Sequence, residues 1–261
     1  MEPFTVHSVY AVGLTLARIQ GHLGKMPYGL RVSVRDGAAM ARDLAQAGAL
    51  LKQLRLDQSS FAVREARSVL LDLKQWPRTA IEISKDVQQA HKAISKELNT
   101  TLFMRIPADR RAYYNKPELL GDKVAQAFPS AAFDVAEAGK CLATGRSTAA
   151  VLHLMRVVEV GLRALAVAIN PSADVQANPT WDAVLQRGDR EIAKRAADQS
   201  PEWRERAAFY TEAIANLRAV KAAWRNPTMH VERKYTDEEA VDVFSAVKAF
   251  MRHLATQVRE T

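Results

Sequence analysis

The sequence is short of everything that cross-links or punctuates a chain. Its single cysteine, Cys141, excludes an internal disulfide and any cysteine-based metal cluster. On an apolar helical stretch it reads as a small buried hydrophobe, and its isolation fits a reducing cytoplasm. Eleven Gly and ten Pro in 261 residues fall mostly at joints between periodic segments. No alternating series announces a strand, and there is no internal repeat or low-complexity tract. No charge-free apolar run approaches ~18 residues, because Arg156, Glu159 and Arg163 interrupt the longest candidate, so no membrane span is expected. The start Met1-Glu2-Pro3-Phe4 lacks the basic head and apolar core of a secretion signal, and a cytoplasmic protein is expected. Missing as well are a His-x-x-x-His pair with a nearby acid, a serine elbow and a phosphate-cradling loop. Gly121, Gly139 and Gly145 have neither the spacing nor the preceding strand for such a loop. Neither a metal nor a cofactor is expected.

What is present reads with helical period throughout, and the fold class is all-α. Val9, Val12, Leu16 and Ile19 mark a first helix over about 6–22. Met40, Leu44, Ala47, Leu51 and Leu54 mark a second over about 37–54. Ser59 or Ser60 is placed to cap a third, which Trp76-Pro77 stops, and a fourth runs over about 78–98. A segment over 100–117 then breaks the pattern, with Asp109-Arg110-Arg111-Ala112-Tyr113-Tyr114-Asn115-Lys116 interleaving basic and aromatic residues. Beyond it, a helix over about 130–143 ends at Gly145. The long helix 147–169 is apolar on a wide face and should be the central packing element. Thr180, Ser200-Pro201 and Thr236-Asp237-Glu238-Glu239 cap three more. Two domains are expected: a basic N-terminal helical region, 1–120, and a helical bundle, 121–261. Residues 1–118 hold 18 Lys and Arg against 11 Asp and Glu, and the remainder 19 against 18. A basic half beside a neutral half suits a polyanion partner.

The chemistry gathers at Arg225-Asn226-Pro227-Thr228-Met229-His230. On one continuous helix Arg225 and His230 would stand roughly 140° apart. Pro227 removes a backbone donor and biases Asn226 away from helical geometry, so a helix ends near Trp224 or Arg225 and Asn226 caps a fresh turn. Such a break can bring guanidinium and imidazole to one point. An arginine followed by a histidine after four to six residues occurs by chance about 1.7 times in this composition, and Arg146 with His153 is a second instance. Arg-Asn-x-x-x-His is expected only about 0.013 times, so the asparagine makes the pattern informative.

At these residues, and over about 129–261, the chain resembles the HEPN superfamily, small all-helical domains that often cleave RNA. The resemblance includes the stretch from Asp134 to Arg146 and the helix from Thr148 through Glu159 to Leu165; residues 1–120 carry none. It implies a metal-independent endoribonuclease, a toxin or phage-defence effector, in which the ribose 2′-hydroxyl attacks the adjacent phosphate. Arg225, His230 and Asn226 would be the catalytic residues. An imidazole suits proton transfer near neutral pH, and an arginine fork suits phosphate. One histidine cannot be acid and base at once, so the resemblance also implies a homodimer with two motifs side by side. RNA is the expected substrate, an antitoxin or regulatory protein an expected further partner, and no membrane is expected. Glu159, Arg156 and His153 are candidates to line the same cleft, and Arg110, Arg111 and Tyr113 to hold phosphates and stack bases. Bland alternatives stand beside these. Arg225 would pair with an acid such as Glu159 or Glu232 while His230 caps a turn, and the tyrosines would anchor a linker. A non-catalytic nucleic-acid- or nucleotide-binding module and a helical interaction scaffold are the competing functions.

Overall fold

Ten α-helices, with short 3-10 and π turns between some of them, make up the architecture among the described residues, and no strand forms there. The computed structural model describes residues 6–169, 180–198, 200–225 (225 in its backbone alone) and 234–260. The protein is all-α. It divides into two compact units, Met1–Met104 and Arg105–Thr261.

The first unit is a ring of four helices: α1 (Val6–Gly24), α2 (Val34–Gln53), α3 (Asp57–Leu71) and α4 (Ala80–Thr100), each packed on two neighbours. Its core follows the apolar stripes, with Val12, Leu16 and Ile19 of α1 meeting Met40, Leu44 and Leu51 of α2 and Val87, Ala90 and Ile94 of α4. Ser33 caps α2, and Thr79 with Glu82 forms a reciprocal capping box at α4. The start of α3 departs from the sequence expectation. The helix begins at Asp57, so Ser59 lies inside its first turn, fully buried. Glu97 of α4 supplies the cap instead, accepting from the Ser59 amide at 2.7 Å, its hydroxyl at 2.5 Å and the Gln58 amide at 3.3 Å. Burial alone would raise the Glu97 carboxyl, but the bonds from the Ser59 hydroxyl and the Ser59 and Gln58 amides outweigh it and hold the group below the usual range.

The second unit begins earlier than the expected boundary after Leu120, because residues 105–120 pack into it. A 3-10 turn, Ala108–Tyr113, lies on α6 (Ala132–Ala143). Gly139 of α6 makes room for it, since a Cβ there would run into the Tyr113 carbonyl. Moving these residues across changes the charge contrast. Residues 1–104 carry 14 Lys and Arg against 9 Asp and Glu, and 105–261 carry 23 against 20. After the short α5 (Asp122–Ala127), α6 ends on Gly145 in left-handed backbone (φ 70°), where a side chain would be strained. The centre of the unit is α7 (Ser147–Ile169), which packs against α6, α8 (Trp181–Lys194) and α10 (Asp237–Leu254). Its Val151, Leu154, Val157, Val158 and Leu165 are buried, and at Gly161 the chain of α10 comes close enough that a Cβ would meet Met251 and Leu254. The helix α9 (Pro201–Val220) starts with Ser200 accepting from the Trp203 amide and packs on α8 and α10.

Candidate functional site

The helix α9 does not stop at Val220 but loosens into a π turn, Lys221–Arg225. Wider turns of this kind disturb the regular ladder and are often found at functional positions. The side chain of Arg225, and Asn226 and His230, lie outside the described residues. The two ends of the segment that carries them are described. The Tyr235 hydroxyl donates to the Trp224 carbonyl at 3.4 Å, and the Tyr235 amide donates to Thr148 Oγ1 at 3.1 Å. Tyr235 is buried, and Trp224 packs against the same core. The chain therefore leaves α9 and re-enters α10 at points tied to each other and to the first turn of α7.

Farther along α7, His153 and Arg156 converge on one carboxylate of α6. His153 Nδ1 and Arg156 Nε each lie 2.8 Å from Asp134 Oδ1. Positions 153 and 156 are nearly a helical turn apart, so they share a face, and α6 brings Asp134 against it. The Asp134 side chain is 8% exposed, His153 27% and Arg156 65%. Burial alone would push the Asp134 carboxyl up; hydrogen bonds from Arg156 and His153, and their charge, outweigh it and hold the group below the usual range. It is therefore ionised at neutral pH. A carboxylate only accepts, so a proton sits on Nδ1, and Nε2 is left for another partner. Phe133, beside Asp134 in sequence, stands edge-on to the imidazole, with centroids 6.5 Å apart. Glu159, one turn beyond Arg156, receives the Trp181 indole N–H at 3.5 Å, which links α7 to the start of α8.

The third group of candidates goes elsewhere. Arg110 donates to Asp237 Oδ2 at 2.5 Å, while Ser147 donates to Asp237 Oδ1 at 2.5 Å. The Ser147 and Arg110 bonds hold the Asp237 carboxyl below the usual range, and the bond to Asp237 raises Arg110. Around them lies a shallow cavity of about 380 Å³, whose lining includes Asp109, Asp237, Glu238 and Asp242. Four carboxylates beside one guanidinium repel a phosphate, so Arg110 acts here as a clasp between the 3-10 turn and α10. Tyr113 packs edge-on against Phe244 of α10, centroids 5.6 Å apart, and is half-buried, which fits an anchor rather than a stacking platform. Arg111 is exposed.

The structure thus brings His153 and Arg156 together, keeps Glu159 on the same helix, and ties Arg110 and Tyr113 to α10. Sequence reasoning missed Asp134 and Phe133, whose partners are 19 to 22 residues away with no local pattern to mark them. No group of His, Cys, Asp and Glu suited to a metal occurs among the described residues. No helix of those residues is long and apolar enough to cross a membrane. Comparison with protein-family models, with curated proteins and with solved structures gave no match.

Proposed function

We propose that the protein is a metal-independent endoribonuclease of the HEPN type, a cytoplasmic toxin or phage-defence effector that works as a homodimer. The observation that carries this reading is the tethering of the Arg225-Asn226-x-x-x-His230 segment at both ends, through Trp224 and Tyr235, to each other and to α7. In the reaction the ribose 2′-oxygen forms a bond to the adjacent phosphorus and the bond from phosphorus to the 5′-oxygen breaks. His230 of one copy takes the 2′-hydroxyl proton, and the histidine of the second copy gives a proton to the departing 5′-oxygen. Arg225 stabilises the charge that builds on the phosphate oxygens, and Asn226 orients His230 or the phosphate. The products are a cyclic 2′,3′-phosphate and a 5′-hydroxyl, with no water and no metal consumed.

The test is cleavage of RNA in EDTA by the full chain and by Arg225→Ala and His230→Ala. Each variant should lose about 10²-fold or more in rate, with product ends that carry the cyclic phosphate. Wild-type protein inert on RNA overturns the reading. The second reading, a non-catalytic nucleic-acid- or nucleotide-binding module, draws on the cluster formed by Asp134, His153 and Arg156, because those contacts need none of the motif residues.

A further inference from the structure

Asp134 holds two side chains by their inner nitrogens and leaves their outer ones open. Arg156 uses only Nε and His153 only Nδ1. The Arg156 terminal nitrogens and His153 Nε2 make no hydrogen bond or ion pair among the described residues. A clasp between α6 and α7 would be complete with one such bond, and an arginine that is 65% exposed adds little to stability as an ion pair. What the shared carboxylate does is fix orientation. It restrains a long side chain that would otherwise sample many rotamers and, by engaging Nδ1, leaves Nε2 as the imidazole nitrogen open to a partner.

Beside these groups Phe133 holds its ring out, 67% exposed, at a position where a solvated helix face calls for a polar residue. The three open groups differ in chemistry and match three parts of one molecule. A guanidinium fork pairs with phosphate oxygens. An imidazole nitrogen pairs with a hydroxyl, which can both donate and accept. An exposed aromatic face stacks a base. An aliphatic ligand would leave the guanidinium unused, and a bare anion would leave the aromatic face unused.

We infer that Phe133, His153 and Arg156, oriented by Asp134, form a receptor for one ribonucleotide unit: the base on Phe133, a ribose hydroxyl hydrogen-bonded to His153 Nε2, and the phosphate on Arg156. That unit is either a free ribonucleotide or one residue of a single-stranded RNA. The choice of RNA as the strand rests on the ribonuclease reading; the receptor chemistry does not.

The experiment measures binding by the full chain in EDTA. Fluorescence anisotropy with labelled RNA and DNA octamers of one sequence uses protein carrying His230→Ala, so that the strand stays whole. Calorimetry with adenosine and 2′-deoxyadenosine 5′-monophosphate uses the wild-type chain. Phe133→Ala should weaken RNA and DNA octamers alike, by about tenfold, and leave the salt dependence unchanged. Arg156→Ala should lower the slope of log affinity against log salt by about 0.7, the loss of one phosphate contact on a single strand. His153→Ala should weaken RNA more than DNA and erase a ribose preference. Melting curves check that each variant is folded, and Phe133→Trp should restore binding. Saturable, ribose-selective binding of the monophosphate assigns the free nucleotide as ligand; binding of the octamer alone assigns the strand. Protein with Phe133, His153 and Arg156 intact that binds neither, or receptor variants that bind both within twofold of it, overturn the inference. Variant-sensitive binding without cleavage of unmodified RNA by the wild-type chain would sink the ribonuclease reading and keep the receptor. Cleavage with variant-insensitive binding would do the reverse.

Discussion

The two units solve different problems with the same kind of helix. In the first, apolar stripes meet around a ring, and the buried polar side chain that the core tolerates, Ser59, is satisfied at once by Glu97. Its ion pairs, Arg18 with Asp43 and Arg78 with Asp86, lie partly in solvent, where such pairs contribute about 0–1 kcal/mol. In the second, α7 is apolar enough to be a core helix yet carries His153, Arg156 and Glu159 along its length, and α6 brings a nearly buried carboxylate against them. A carboxylate out of water is costly unless it is paired and hydrogen-bonded, so its presence marks the face where something other than packing is at work. The comparison separates a unit built for stability from one in which polar groups are held in place.

The contrast breaks most visibly under cavity-forming changes. Leu44→Ala in the first unit and Leu154→Ala in the second each remove a fully buried side chain and should cost about 2–5 kcal/mol, read as a shift of the denaturant midpoint. The first should leave RNA cleavage per folded molecule unchanged, because the proposed site lies in the second unit. A rate that falls with Leu44→Ala in fully folded protein would erase the division of labour.

A smaller effect is expected at Asp134. Asp134→Asn keeps the shape and removes the charge that two side chains share, and should cost about 1–2 kcal/mol at pH 7, since Arg156 is mostly in solvent. The sign with pH follows from the lowered carboxyl. The stabilisation is fully present above the unfolded value of about 3.9 and is lost as pH falls through the lower folded value. Urea midpoints of wild type and variant should therefore converge on acidification below about pH 4. A gap that stays constant to low pH would mean that the charge of Asp134 is not what holds His153 and Arg156.

Smaller again is the cap that one helix lends another. Glu97→Ala removes the acceptor for the first turn of α3 and should cost about 1 kcal/mol. Activity should not change. A larger loss in cleavage than in stability would place the first unit in the chemistry.

These differences also explain which parts of the structure were legible in the sequence. The stripes of α1, α2 and α7, the caps at Thr180, Ser200 and Thr236, and the stop at Gly145 depend on residues within a turn or two, so local spacing reveals them. Glu97 at the start of α3, Tyr113 on Phe244 and Asp134 under His153 join residues 19 to 131 positions apart, and no period connects such pairs. The basic, aromatic run at 109–116 illustrates the cost. Its composition suggests a nucleic-acid surface, whereas its geometry ties Arg110 to Asp237 and Tyr113 to α10. The motif at 225–230 stands out by its rarity in the sequence alone, and its side chains lie outside the described residues.

Whether Arg225 and His230 cut RNA, as proposed, is decided by one paired measurement: cleavage and thermal melting of wild type, Arg225→Ala and His230→Ala, in EDTA. The wild type should cut RNA to cyclic-phosphate ends, each variant should lose about 10²-fold or more, and both should melt close to wild type. A wild-type chain inert on RNA, with both variants melting far lower, would contradict it and leave the motif as a structural joint between α9 and α10.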